Sequence, residues 1–98
     1  MRGYRARYTP EASAIIKTLH PTIKAAVRVG IDEIMETPLA GRQLQLELRG
    51  FRSYRVGGHR IIYKINQEES CIEIHYAGPR RDVYESFRDL LSGKGARQ

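Results

Sequence analysis

Residues 51–65 read Phe-Arg-Ser-Tyr-Arg-Val-Gly-Gly-His-Arg-Ile-Ile-Tyr-Lys-Ile. Two alternating runs, 51–56 and 59–65, flank the pair Gly57-Gly58. The favoured two-residue turns need positive φ, which glycine adopts without steric cost, so this stretch predicts a β-hairpin. With the two glycines as the turn, Val56 faces His59, Arg55 faces Arg60, Tyr54 faces Ile61 and Ser53 faces Ile62. Successive side chains of a strand point to opposite faces. Tyr54, Val56, Ile61, Tyr63 and Ile65 therefore share the core side, and Ser53, Arg55, Arg60, Ile62 and Lys64 share the other.

Working outward, Asn66 to Glu69 form a turn, and Ser70 to Tyr76 alternate as a further strand. Ile72, Ile74 and Tyr76 match the core side, leaving Cys71, Glu73 and His75 on the basic face. Arg81 to Leu91 predicts a last helix with Val83, Phe87, Leu90 and Leu91 as its apolar side. Upstream, residues 3–8 alternate as a strand, and Thr9-Pro10-Glu11 carries an N-cap oxygen, an early proline and an early acid. Ala12, Ile15, Ile16 and Leu19 follow at helical spacing. His20-Pro21 breaks this helix. A second helix, Thr22 to Glu36, presents Ile23, Val27, Ile31 and Ile34 in a stripe and ends at Thr37-Pro38. Gln43 to Leu48 reads as a short extended piece. The order β-α-α-(β)-β-β-β-α predicts an α+β fold. An N-terminal strand and a helical hairpin pack on one face of a mainly antiparallel sheet of about four strands, and a helix closes the chain. Helices are expected on one face only. Residues 1–98 form a single domain, with the polar, Gly-containing residues 92–98 expected as a flexible tail.

The 98 residues carry 17 Lys and Arg against 11 Asp and Glu, a net charge of +6 with pI near 9.8. So basic a small domain points to an anionic partner. No apolar run approaches a membrane span, and Met1–Tyr8 lacks the apolar stretch of a signal peptide. One cysteine precludes an internal disulfide, and three scattered histidines argue against a metal site. A reduced, cytoplasmic protein without metal or cofactor is expected. Between Leu48 and Gln67 stand Arg49, Arg52, Arg55, Arg60 and Lys64 with no acid among them. A solvated strand face and an anion site both account for that run. The hairpin register, however, sets Arg55 directly opposite Arg60, which destabilises a sheet unless an acid or a bound anion lies nearby. Glu73 could supply the acid, and a phosphate the anion.

The run 51–65, followed by Ala-Gly-Pro-Arg-Arg-Asp-Val-Tyr at 77–84, resembles the RelE/ParE superfamily of bacterial type II toxins, and the element order matches that fold. The resemblance to its RelE-like branch implies a ribosome-dependent messenger RNA endonuclease, an mRNA interferase that acts without a metal. By motif, Arg60 matches the arginine before the Ile-Ile-Tyr segment. Arg80 matches the arginine after the glycine, with Arg81 an alternative, and Tyr84 matches the tyrosine near the last helix. The family's basic pair on the preceding strand falls near Arg52 and Arg55, although arginines stand where lysines are common. The resemblance thus implies Arg60, Arg80 and Tyr84 as catalytic residues and Arg52, Arg55, Lys64 and Arg81 as phosphate-binding ones. Other branches use a glutamate and a histidine, for which Glu47 and His75 are candidates; His75 is carried as a possible acid or base. The implied partners are a cognate antitoxin, in a hetero-oligomeric complex, and the ribosome with its message. The gyrase-inhibiting ParE branch, and a non-catalytic RNA-binding module, are the alternatives.

Such a reaction uses the RNA's own 2′-hydroxyl as nucleophile. The site must align it with the phosphorus, take its proton and stabilise the added charge. Guanidinium groups stay charged and serve as electrostatic stabilisers. Tyr84 is the candidate base, and an ordinary tyrosine, with a pKa near 10, needs neighbouring cations to serve at neutral pH. Arg80 and Arg81 are the nearest cations in sequence. His20, His59 and Cys71 read as a helix terminus, a strand residue and an inert thiol.

Overall fold

The computed structural model describes residues 3–93. In chain order the elements are β1 (Arg5–Tyr8), α1 (Pro10–Lys17), α2 (Pro21–Glu36), a 3₁₀ turn (Pro38–Ala40), β2 (Arg42–Gln43), a second 3₁₀ turn (Leu46–Leu48), β3 (Arg52–Val56), β4 (His59–Asn66), β5 (Cys71–Pro79) and α3 (Val83–Ser92). The five strands form one sheet in the order β1-β5-β4-β3-β2. β1 runs parallel to β5 and every other pairing is antiparallel. The α+β class and the mainly antiparallel sheet are as expected. The fifth strand is β2, whose two residues are too few to show any period.

The hairpin has the register read from the sequence: Val56 pairs with His59, Arg55 with Arg60, Tyr54 with Ile61 and Ser53 with Ile62. Gly57 supplies the positive φ of the turn, at +59°. Thr9 caps α1 by accepting the Ala12 N–H at 3.0 Å. His20 caps α2, its Nδ1 accepting the Thr22 N–H at 3.1 Å. α2 lays Val27, Ile31 and Ile34 onto the sheet, where they join Ile61, Tyr63, Ile72 and Ile74 in the larger core.

Three expectations need correction. First, helices cover both faces of the sheet. Leu44, Leu48, Phe51, Ile62, Val83 and Phe87 form a second buried cluster on the face opposite α1 and α2. Ile62 falls on that face by strand alternation, and Val83 and Phe87 lie one turn apart on α3, so their apolar surfaces bury each other. Second, Tyr76 leaves the core side. Ile62 pairs with Tyr76 while Tyr63 pairs with Ile74, so His75 is the extra residue of a β-bulge. The bulge resets the alternation, and Tyr76 packs beside Phe87 at 5.8 Å between ring centroids. Beyond it β5 follows β4 as far as Pro79, past the expected end at Tyr76. Third, α3 extends through Ser92, whose hydroxyl donates to the Asp89 carbonyl, and Gly93 closes it at φ +83°. The rest of the expected tail, 94–98, lies outside the described residues. Among the described residues no helix is long and apolar enough to cross a membrane.

Candidate active site

The second face of the sheet carries a polar cluster centred on Ser53, a side chain only 1% exposed. Two donors converge on its Oγ: Arg60 Nη1 at 3.1 Å, from β4, and the Tyr84 hydroxyl at 3.2 Å, from the first turn of α3. Arg42 in β2 pairs directly with Ser53, and its Nη2 donates to the Tyr84 hydroxyl at 3.2 Å. Four elements thus bring two guanidiniums, a hydroxyl and a phenol together. Val83 and Phe87 anchor the helix that carries Tyr84, while Tyr84 itself stays half-exposed at the edge of their cluster.

The electrostatics favour an ionisable phenol. Burial alone would raise the Tyr84 pKa. The hydrogen bonds to Ser53 and Arg42, with the positive charges of Arg60 and Arg42, outweigh it and hold the phenol below the usual tyrosine value. The cations responsible are therefore Arg42 and Arg60, where sequence proximity points to Arg80 and Arg81.

The other candidate residues are distributed unevenly. The Arg80 N–H donates to the Gly58 carbonyl at 2.8 Å, which ties the turn before α3 to the hairpin tip. Arg80 and Arg81 are exposed. Because Arg60 pairs with Gly78, Arg80 stands two residues beyond Arg60's neighbour on β5. Arg55 lies on the Arg60 face, and its Nε turns to the Gly57 carbonyl at 3.2 Å. Lys64, further along β4, places Nζ 4.9 Å from the centroid of the Phe51 ring.

Arg52 does not join the cluster. Alternation sends it to the opposite face, where its Nε donates to the Gly41 carbonyl at 3.0 Å and its Nη2 to the Leu39 carbonyl at 3.4 Å. His75 also stands apart. Its ring meets Phe51 edge-on at 5.0 Å, and Nε2 lies 3.6 Å from Glu73 Oε1, longer than a hydrogen bond. Burial lowers its pKa below the ordinary histidine value, although Glu73 pulls the other way. Glu47 reaches Arg88 on α3 at 3.7 Å, in an exposed pair. Ser53 and Arg42 are the site residues that sequence reasoning missed. Ser53 reads as an unremarkable strand residue, and the sole signal for it was its place on the Arg60 face. Arg42 stands in a strand without a period, so no sequence signal marks it.

A shallow depression of about 500 Å³ lies beside this cluster, lined by its Arg42 and Tyr84 together with Leu44, Leu48 and Arg88 among others. A larger groove, about 650 Å³, runs between α1 and α2 along Ile16, Val27 and Tyr8, and none of the cluster residues lines it. The smaller one holds Tyr84, whose pKa lies below the usual tyrosine value, whereas burial raises that of Tyr8 in the larger groove.

The model of a family described as the ParE toxin of type II toxin–antitoxin systems, parDE, matches residues 4–84. This chain belongs to that toxin family. It is 34% identical over 83 residues to Toxin RelG of Mycobacterium tuberculosis, covering 83% of this chain and 95% of RelG. A chain of the toxin–antitoxin complex RelBE2 from the same organism superposes with a TM-score of 0.74 and 32% identity, covering 81% of this chain and all of that one. The isolated Escherichia coli RelE toxin has the same fold, with a TM-score of 0.68 at 17% identity over 90% of this chain and 98% of its own. The RelE/ParE resemblance carried by residues 51–65 and 77–84 is thereby established. The toxin has the RelE-like α+β architecture.

Proposed function

We propose that this toxin is a metal-independent endoribonuclease that cuts messenger RNA on the ribosome and so stops translation in the cytoplasm. The observation that carries this reading is the convergence of Arg60 and Tyr84 on the Ser53 hydroxyl, which sets a phenol of lowered pKa beside a fixed cation. In the proposed step the Tyr84 phenolate takes the proton of a 2′-hydroxyl. The freed O2′ bonds to the adjacent phosphorus, the bond from phosphorus to O5′ breaks, and the leaving oxygen takes a proton from water. The products are a 2′,3′-cyclic phosphate and a 5′-hydroxyl. Arg60 and Arg80 stabilise the charge that builds on the phosphoryl oxygens; loss of one such donor typically slows a reaction by about 10²–10³. Arg55, Lys64 and Arg81 contribute to RNA backbone binding. Arg52 has no part in it, because its guanidinium is engaged by two carbonyls on the far face. His75 has none either, because its ring is packed against Phe51 and its polar neighbour is Glu73. The site is open to solvent, and in this reading the ribosome aligns the message for it.

The RelBE2 structure and the intact E. coli RelBE structure are toxin–antitoxin complexes. A cognate antitoxin is accordingly proposed as this toxin's partner, in a hetero-oligomeric complex. The family description, which names parDE, favours a second reading: inhibition of DNA gyrase without nuclease activity. One experiment separates the two. Purified toxin is added to a bacterial cell-free translation reaction, and message ends are mapped by primer extension beside a gyrase supercoiling assay. New ends that require translation and vanish with Arg60→Ala support the nuclease. Intact message with inhibited supercoiling supports the gyrase reading.

A further inference from the structure

We propose that Arg42 is a positioning residue for Tyr84, and that Tyr63 and Arg52, on the opposite face of the sheet, hold Arg42 in place. This rests on the reading of Tyr84 as the base.

The device is built through the sheet. Tyr63 is fully buried in the larger core, yet its hydroxyl makes two hydrogen bonds, both to the segment just before Arg42. It accepts the Gly41 N–H at 2.8 Å and donates to the Pro38 carbonyl at 2.7 Å. Arg52 adds a third tie through its Nε and the Gly41 carbonyl. The fit leaves no space: a Cβ on Gly41 would lie 2.6 Å from the Tyr63 hydroxyl oxygen and 3.0 Å from the Ser53 carbonyl oxygen. The next residue is Arg42, whose backbone pairs with Ser53 and whose guanidinium reaches Tyr84. A two-residue edge strand with an exposed arginine would ordinarily fray. Here two hydrogen bonds from buried or half-buried side chains fix the residue before it, and a third, from Tyr63 to the Pro38 carbonyl, fixes the turn that leads into it.

Fixing Arg42 matters because of what each group does when Tyr84 ionises. In the neutral state the phenol donates to Ser53 Oγ, which also accepts from Arg60. When the phenolic proton leaves for solvent, the Ser53 hydroxyl turns its own hydrogen toward the phenolate, and Arg42 Nη2 donates from the other side. Two directed donors then favour the phenolate over the phenol. The role of Arg52 follows from the same geometry: it acts on the reaction through the backbone of Gly41, without touching RNA.

The test needs no RNA. The intact toxin is labelled with ¹³Cζ-tyrosine, its six tyrosines are followed by NMR as pH rises, and the Tyr84 signal is assigned by its loss in Tyr84→Phe. Arg42→Gln, at an exposed position, is expected to move the Tyr84 titration upward by about one pH unit. Arg42→Lys restores part of that shift. Arg52→Gln and Tyr63→Phe move it in the same direction by less. At neutral pH the cleavage rate falls about tenfold per unit of that shift, and its pH profile moves upward by the same amount. An unchanged Tyr84 titration in Arg42→Gln overturns the proposal. Should Tyr63→Phe fail to fold, Arg42→Gln and Arg52→Gln still decide it. If the titrations shift as expected and no RNA is cut, the positioning stands while the nuclease reading fails, so the two failures are distinguishable.

Discussion

Ser53 shows how a small residue organises a charged one. Arg55 and Arg60 stand directly opposite each other, an arrangement that strand chemistry penalises. The structure separates the two charges locally: Arg60 turns to Ser53 and Arg55 to the Gly57 carbonyl. The acid that the sequence offers for this role, Glu73 on β5, instead accepts from Asn66 on β4 and Arg7 on β1. Arg60 and Tyr84 could be picked out from motif, but the serine that joins them could not, because nothing local distinguishes it from a filler. For Arg52 the motif and the hairpin's alternation disagree, and the side chain follows the alternation onto the core side. His75 yields a prediction at this scale. Its folded pKa lies below the ordinary value, so the unfolded chain binds a proton more readily than the native one. Stability is therefore full above the unfolded histidine pKa, about 6.5, and declines as pH falls from there to the folded value. Urea unfolding between pH 7.5 and 5 is expected to show that decline, and His75→Phe to flatten it.

At the scale of elements, the hairpin, the first two helices and the α3 stripe, except for the exposed Leu91, are readable because each has a period and a terminator. β2 has neither, and the bulge at His75 leaves no mark in composition. α3 is the element on which the site depends most. Phe87 meets Phe51 at 5.0 Å edge-on and is 1% exposed. Phe87→Ala removes that anchor and is expected to cost about 3–5 kcal/mol in chemical denaturation. In any fraction that stays folded, Tyr84 loses its seat and cleavage falls with it. Phe87→Leu keeps most of the volume and is expected to cost far less. α2 is constrained from the other side. A Cβ on Gly30 would lie 2.7 Å from Val56 Cγ2 and 3.0 Å from Ile61 Cδ1. Gly30→Ala gains helix propensity, but the overpacking wins, and a net loss of about 1–2 kcal/mol in thermal or urea unfolding is expected.

Over the whole molecule, two apolar clusters sandwich one sheet, and the polar site lies where the smaller cluster meets the sheet's β2 edge. This division explains why the expectation of an uncovered basic face failed: the face is partly built over, and the cations lie along its margin. A net charge of +6 favours association with polyanions and carries no information about the fold. Affinity for single-stranded RNA is expected to fall linearly with the logarithm of salt concentration. Replacing Arg80, Arg81 or Lys64 with alanine should each reduce that slope by about 0.7. Arg52→Ala should leave it unchanged, because its guanidinium faces away. The central claim is the reaction itself, and the chemistry of the cut ends tests it most directly. Message recovered from a translating cell-free reaction with the toxin is to be assayed for its termini. The account requires a 2′,3′-cyclic phosphate and a 5′-hydroxyl at each new break, with the breaks lost in Tyr84→Phe and Arg60→Ala. Ends bearing a 5′-phosphate, or arrested translation on uncut message, would contradict it.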